Sequence, residues 1–279
     1  MKRMRWTAIV LAACLGSCAE PADVDSQPLV MVSVLPQKFF VERVAGDRVR
    51  IEVMIPPGAS PALYEPTIAQ LKALSSADLY VKVGHPSFPF ERAWLDRLLA
   101  EREDLAVVDA SSGVADLGHD PHVWVSPAHA LEMARNIAAG LAVLLPEYAA
   151  ELDGNLRGFE IEVAELDTEL RALLDEKRGG RFFVFHPAWS YFAREYGLVQ
   201  VAIEHDGKEP NPAQVAALIR EAREAGARVI FVQPQFDPAS AELIAREISG
   251  SVEALDPLAP DWSANLRRVG HSLRLAVVR

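Results

Sequence analysis

Residues 127–178 carry no strand signal, yet both flanking regions alternate strand and helix patterns. That division constrains the fold more than any single motif. Before it, residues 30–35, 49–55, 79–83 and 106–108 are short, apolar and β-branched, with helical patterns near 37–45, 67–76 and 90–101. After it, 182–185, 199–203, 229–232 and 252–255 repeat the strand pattern, with helices near 187–196, 213–225, 239–249 and 262–277. Strands alternating with helices imply βαβ units and parallel sheets. In the middle, Pro146 starts a new helix after one over 127–145. Leu152, Leu156, Phe159, Val163, Leu166, Leu170 and Leu173 then form one apolar stripe, closed by Gly179-Gly180. A helix over that span is about 45 Å long, a strut that limits hinge motion. The expected fold is α/β, with two lobes, each a small parallel sheet flanked by helices, joined by a long backbone helix. The expected boundaries are 29–145, 146–179 and 180–279.

Helix starts are well marked. Thr67-x-x-Gln70 fits a capping box, and Ser126-Pro127, Asn211-Pro212 and Asp237-Pro238 each place a capping side chain before a proline. These signals are structural and imply no chemistry.

The first residues bear on compartment. Lys2, Arg3 and Arg5 precede a short apolar run from Trp6 to Leu15, which is too short for the roughly 20 residues of a membrane span. Leu15-Gly16-Ser17-Cys18 resembles a bacterial lipobox, with Cys18 the lipidated residue and residues 1–17 the removed signal peptide. Leu11-Ala12-Ala13-Cys14 fits the pattern too, but leaves a very short apolar run. Residues 18–28 are the expected tether. Cys14 and Cys18 are the chain's two cysteines, so the body has neither a disulfide nor a cysteine metal ligand. The formal charge of −11 argues against general nucleic-acid binding, which needs a basic face.

Chemistry must therefore come from seven histidines and a few carboxylates. Three histidines and one aspartate follow expected strands: His85 in Val-Gly-His-Pro, His122 in Asp120-Pro-His-Val-Trp124, His186 in Phe-His-Pro, and Asp256 in Leu-Asp-Pro-Leu. Carboxyl ends of strands form the ligand crevice of open α/β sheets. Two facing lobes bring the four together as a nitrogen/oxygen site suited to Zn2+ or Mn2+. Glu91 reads as a helix-start residue, not a ligand. His119 and His205 read as exposed loop residues, and His129 and His271 as structural or surface residues.

Asp120-Pro-His122-Val-Trp124, the segment from Phe185-His186 to Tyr196-Gly197-Leu198, and Tyr64-Glu65-Pro66-Thr67 resemble the zinc- and manganese-binding substrate-binding proteins of bacterial ABC transporters. The resemblance covers nearly the whole chain after residue 18 and keeps the motif order. It implies a helical-backbone metal receptor with the metal between the lobes. His122 and His186 match the family's second and third metal histidines, and Asp256 its last carboxylate. The first ligand departs: the family's Pro-His-x-Tyr-Glu-Pro stands here as Pro61-Ala62-Leu63-Tyr64-Glu65-Pro66. Either His85 replaces that ligand, or the site is reduced to three.

The expected function is an extracytoplasmic, lipid-anchored, monomeric protein that captures zinc, with manganese the alternative. It delivers the metal to an ABC permease and its ATPase, and contacts no nucleic acid. Other readings are an altered cargo such as a chelate or small anion, a surface adhesin or chaperone, and a zinc hydrolase. The last lacks any motif placing a general base beside two ligands.

Overall fold

The computed structural model describes residues 27–118, 120–204 and 211–278. The expected signal peptide, Cys18, His119 and His205 lie outside these residues. Four parallel strands, β1 (Leu29–Val32), β2 (Arg50–Val53), β3 (Leu79–Lys82) and β4 (Ala106–Asp109), form a sheet in the order β2-β1-β3-β4. Helices α1 (Leu35–Ala45), α2 (Ile68–Ser75) and α3 (Asp96–Ala100) connect them. The second sheet has β5 (Arg181–Val184), β6 (Val199–Ala202), β7 (Val229–Val232) and β8 (Ser251–Ala254) in the order β6-β5-β7-β8, also parallel. Its helices are α6 (Ser190–Tyr196), α7 (Pro212–Glu224), α8 (Ala239–Glu247) and α9 (Trp262–Ala276). Between the sheets run α4 (Pro127–Leu144) and α5 (Ala149–Leu174). The two-lobed α/β arrangement with a long linking helix is thus present. In each sheet the chain first winds to one side of the opening strand and then to the other. This creates a switch point between β1 and β3, and between β5 and β7.

The helix starts obey their caps. Thr67 Oγ1 accepts from Gln70 N, and Gln70 Oε1 accepts in return from Thr67 N at 2.9 Å. The Ser126 and Asn211 side chains cap α4 and α7. At α8, Pro238 itself takes the cap position, while Asp237 Oδ1 accepts from Ala239 N at 2.9 Å. The expected helix over 90–101 opens with a π-helical turn, Glu91–Leu95, before α3. This wider turn buries Glu91, for a reason given below.

The linking helix spans 26 residues, about 39 Å, somewhat shorter than expected because 3-10 turns replace both ends. Its stripe is buried at Leu152, Phe159, Val163, Leu166 and Leu170, ending on Leu174 rather than Leu173. It packs against α1, α4 and α9. Gly270 of α9 has no space for a Cβ, which would strike the Leu170 side chain, so the two helices approach closely there.

One apolar core runs through both lobes. Phe39 and Phe40 of α1, Phe159 of α5 and Trp262 of α9 pack with ring centroids 5.3–6.2 Å apart. Two buried hydrogen bonds tie the lobes further. Trp262 Nε1 donates to the Trp124 carbonyl, and Trp124 Nε1 donates to the Pro257 carbonyl, both at 2.7 Å. An apolar interface of this kind opposes relative lobe motion. We predict that Trp262→Ala lowers unfolding free energy by about 3–5 kcal/mol. Trp262→Phe, which strands the Trp124 carbonyl but keeps most of the packing, should cost about 1–3 kcal/mol. Urea unfolding measures both; a negligible cost for Trp262→Phe would show that the hydrogen bond contributes nothing, and equal costs would show that the ring packing adds nothing beyond it.

Candidate metal centre

The second sheet brings its switch point to a histidine. His186 follows β5, and Gln233 follows β7. Gln233 Oε1 accepts from His186 N at 3.2 Å, and Gln233 Nε2 donates to the His186 carbonyl at 2.7 Å. This reciprocal pair fixes the His186 backbone across the sheet. His186 Nδ1 lies 2.8 Å from Glu204 Oε2, and the ring stacks on Phe236 at 4.9 Å.

His122 comes from the other lobe, in the loop after β4. Its Nδ1 is 2.6 Å from Asp120 Oδ1, which also accepts from His122 N. Asp120 Oδ2 accepts from Ser190 N at 3.2 Å, so the same carboxylate reaches across to the start of α6. Burial holds the His122 pKa below the ordinary imidazole value. For Asp120 burial acts upward, but the interactions with His122, with a further hydrogen bond from Ser190, outweigh it and hold the carboxyl below its ordinary range. His122 Nδ1 thus faces a carboxylate oxygen.

The two rings meet across the lobe boundary with centroids 5.2 Å apart and planes at 80°. In both, an Nδ1–H donated to a carboxylate leaves the lone pair on Nε2. Zinc sits about 2.0–2.1 Å from an imidazole nitrogen, so two imidazoles on one tetrahedral ion have ring centres about 5 Å apart. The observed separation fits that value. Carboxylates behind metal-binding histidines fix the tautomer and raise ligand basicity. Both rings line a cavity of about 660 Å³, together with Ala62 and apolar side chains that include Phe88, Leu117, Phe236 and Leu258.

Two expected site residues are placed differently. His85 is buried beside the cavity and does not line it. Its Nδ1 accepts from Ser87 N at 3.1 Å, and its Nε2 lies 3.0 Å from Asp116 Oδ1. Its turn is rigid. Gly84 has φ +83° and no space for a Cβ, which would strike the Asp109 carboxylate. Glu91, from the π turn, accepts from Val83 N at 2.6 Å, Gly84 N at 2.9 Å and Ser33 Oγ at 2.6 Å. Burial pushes the Glu91 carboxyl up. Asp256 Oδ1 accepts from Gln235 Nε2 and Leu258 N, both at 2.9 Å, and also does not line the cavity. Among the described residues, no three His, Cys, Asp or Glu side chains converge in a geometry that would hold a metal ion. The Tyr64–Thr67 motif is architectural: Tyr64 OH donates to Gln70 Oε1 at 2.7 Å, anchoring the loop that carries Ala62 to α2.

The sequence reading missed Glu204. It directly follows the expected strand 199–203, the same signal that marked His186 and Asp256.

The family model for the zinc-uptake complex component A periplasmic, ZnuA, matches residues 30–269. The chain belongs to this family. The high-affinity zinc uptake system protein ZnuA of Paracoccus denitrificans (strain Pd 1222) is 31% identical over 304 aligned positions, covering 91% of this chain and 90% of that protein. A crystal structure of ZnuA superposes with a TM-score of 0.86 at 39% identity, covering 90% of this chain and 99% of that one. The laminin-binding protein Lmb of Streptococcus agalactiae, described as a bifunctional protein with adhesin and metal-transporting activity, superposes at 0.81 with 28% identity, covering 89% and 99%. The helical-backbone metal-receptor fold expected from the sequence is thus that of the ZnuA family.

We predict that Glu204→Gln lowers zinc affinity about 10–100-fold, the usual cost of losing a carboxylate behind a ligand histidine. Competition with a fluorescent zinc indicator measures it. Unchanged affinity would mean that Glu204 does not orient His186.

Proposed function

We propose that this chain is the extracytoplasmic receptor of a metal ABC transporter. It takes up zinc, with manganese second, and passes it to a membrane permease driven by a cytoplasmic ATPase. The observation that supports this best is the pair of carboxylate-backed imidazoles, His122 and His186, meeting across the lobes at 5.2 Å. They are the proposed metal-binding nitrogens. His85 and Asp256, held by partners of their own, act one shell further out. Family membership supports the transport role and the location outside the cytoplasm. The protein acts by binding and release, with no chemical step. Cys18 is the proposed lipid attachment site and residues 1–17 the signal peptide, which make the working form membrane-anchored; a monomer is the proposed state. Boundaries at 29–145, 146–179 and 180–279 are the proposed lobes and linking helix.

The test is metal analysis of the full chain, purified without a polyhistidine tag from cells grown with ample zinc. About one zinc per chain is expected, absent from His122→Ala and His186→Ala. His85→Ala should retain more zinc than either. A folded wild-type protein that carries no transition metal would overturn the proposal.

Acid should release the cargo. Protonating Nε2 removes the lone pair that binds metal, so affinity falls once pH drops through the imidazole range. An ordinary imidazole protonates near 6.5, and burial lowers the His122 value from there. Zinc should therefore be held from pH 7.5 to about 6.5 and released progressively below that. Equilibrium dialysis across this range checks the expectation, and flat retention to pH 5 would exclude imidazole ligands.

A further inference from the structure

The centre is short of ligands and long on space. A zinc ion takes four ligands in a closed site. Two imidazole rings meet here with centroids 5.2 Å apart, and the nearby candidates are engaged elsewhere. Asp120 and Glu204 bond the rear nitrogens of the rings, Asp256 caps Leu258 N, and both nitrogens of His85 are hydrogen-bonded. Ala62 lines the cavity with a methyl group. A bare ion with two waters fills only a small part of 660 Å³, at about 30 Å³ per water. A volume of about 300–1,000 Å³ is the usual size of an organic ligand site.

The walls define the organic part. Phe88, Leu117, Phe236 and Leu258 offer apolar contact. Among the described residues, no Lys or Arg lines the cavity, while the carboxylates of Asp120 and Glu204 do. Such a lining favours a neutral or singly anionic chelator and disfavours a polyanionic one.

Resting on the zinc-receptor reading, we propose that the cargo is a zinc chelate. His122 and His186 supply two nitrogens, and a small bidentate chelator with nitrogen or oxygen donors and an apolar body supplies the others from the space beside Ala62. No covalent step is involved.

The experiment compares zinc alone, zinc with equimolar 8-hydroxyquinoline, and zinc with equimolar citrate, each dialysed against the full chain at matched free zinc. The first chelator is planar, apolar and singly anionic; citrate is polyanionic. Expected is at least tenfold more zinc retained with 8-hydroxyquinoline than with zinc alone, one chelator held per zinc, and no gain with citrate. In Ala62→His, where a third imidazole enters the chelator's space, zinc alone should bind at least tenfold more tightly and chelator retention should fall. Wild type binding zinc alone as tightly as the chelate, with no chelator retained, would overturn the proposal while leaving the receptor reading intact. A chelate retained equally by His122→Ala, or a wild type that binds neither form, would overturn both.

Discussion

The Trp262 indole holds the molecule's geometry. It packs among Phe39, Phe40 and Phe159, so it joins α1, α5 and α9 into one apolar mass. It also donates to the Trp124 carbonyl, two residues beyond His122. Trp124 in turn donates to the Pro257 carbonyl, one residue beyond Asp256. The loop carrying the N-lobe histidine is therefore attached to the other lobe through its own main chain. The His122–His186 separation is set by these contacts and by the Asp120–Ser190 bond, not by a flexible hinge. A fixed separation matters because coordination bonds tolerate only small errors in length.

Burial and electrostatics then reinforce one another. Removing the His122 imidazole from water favours its neutral form, which holds its pKa below the ordinary value. The carboxylates behind them make the lone pairs more basic without charging the rings. Such a centre is preorganised for a cation before one arrives. Binding energy is not consumed in orienting ligands, and little lobe closure is needed.

Much of the fold was legible from the chain. The strand-free stretch from 127 to 178, the stripe from Leu152 to Leu170, the capping box at Thr67 and the capping side chain at Asn211 each encode a local rule. Local rules survive folding when tertiary packing agrees with them. The π turn at Glu91 was not legible, because its cause is distant. Glu91 is drawn inward by the free amides at the end of β3 and by Ser33 after β1, and the helix widens to allow it. In the candidate centre, His122 and His186 followed from their places after strands. His85 satisfied the same rule and yet turned to Asp116 and Ser87. A strand end fixes where a residue's backbone lies, while its side chain follows whatever partner is nearest. Glu204 shows the converse, a partner whose strand-end position carried the signal unnoticed.

The departure at Ala62 gains its meaning from that geometry. In a flexible cleft, a missing ligand could be replaced by moving a neighbour inward. Here His85 is held at both nitrogens, its turn is locked by Gly84 and Glu91, and the lobes are bound by a shared core. Moving it would break the Asp116 bond and strain a backbone that only glycine suits. An exogenous donor faces no such cost, since Ala62 lines a cavity that is already open. The rigidity that fixes the two histidines is thus also what leaves the rest of the coordination shell to the cargo.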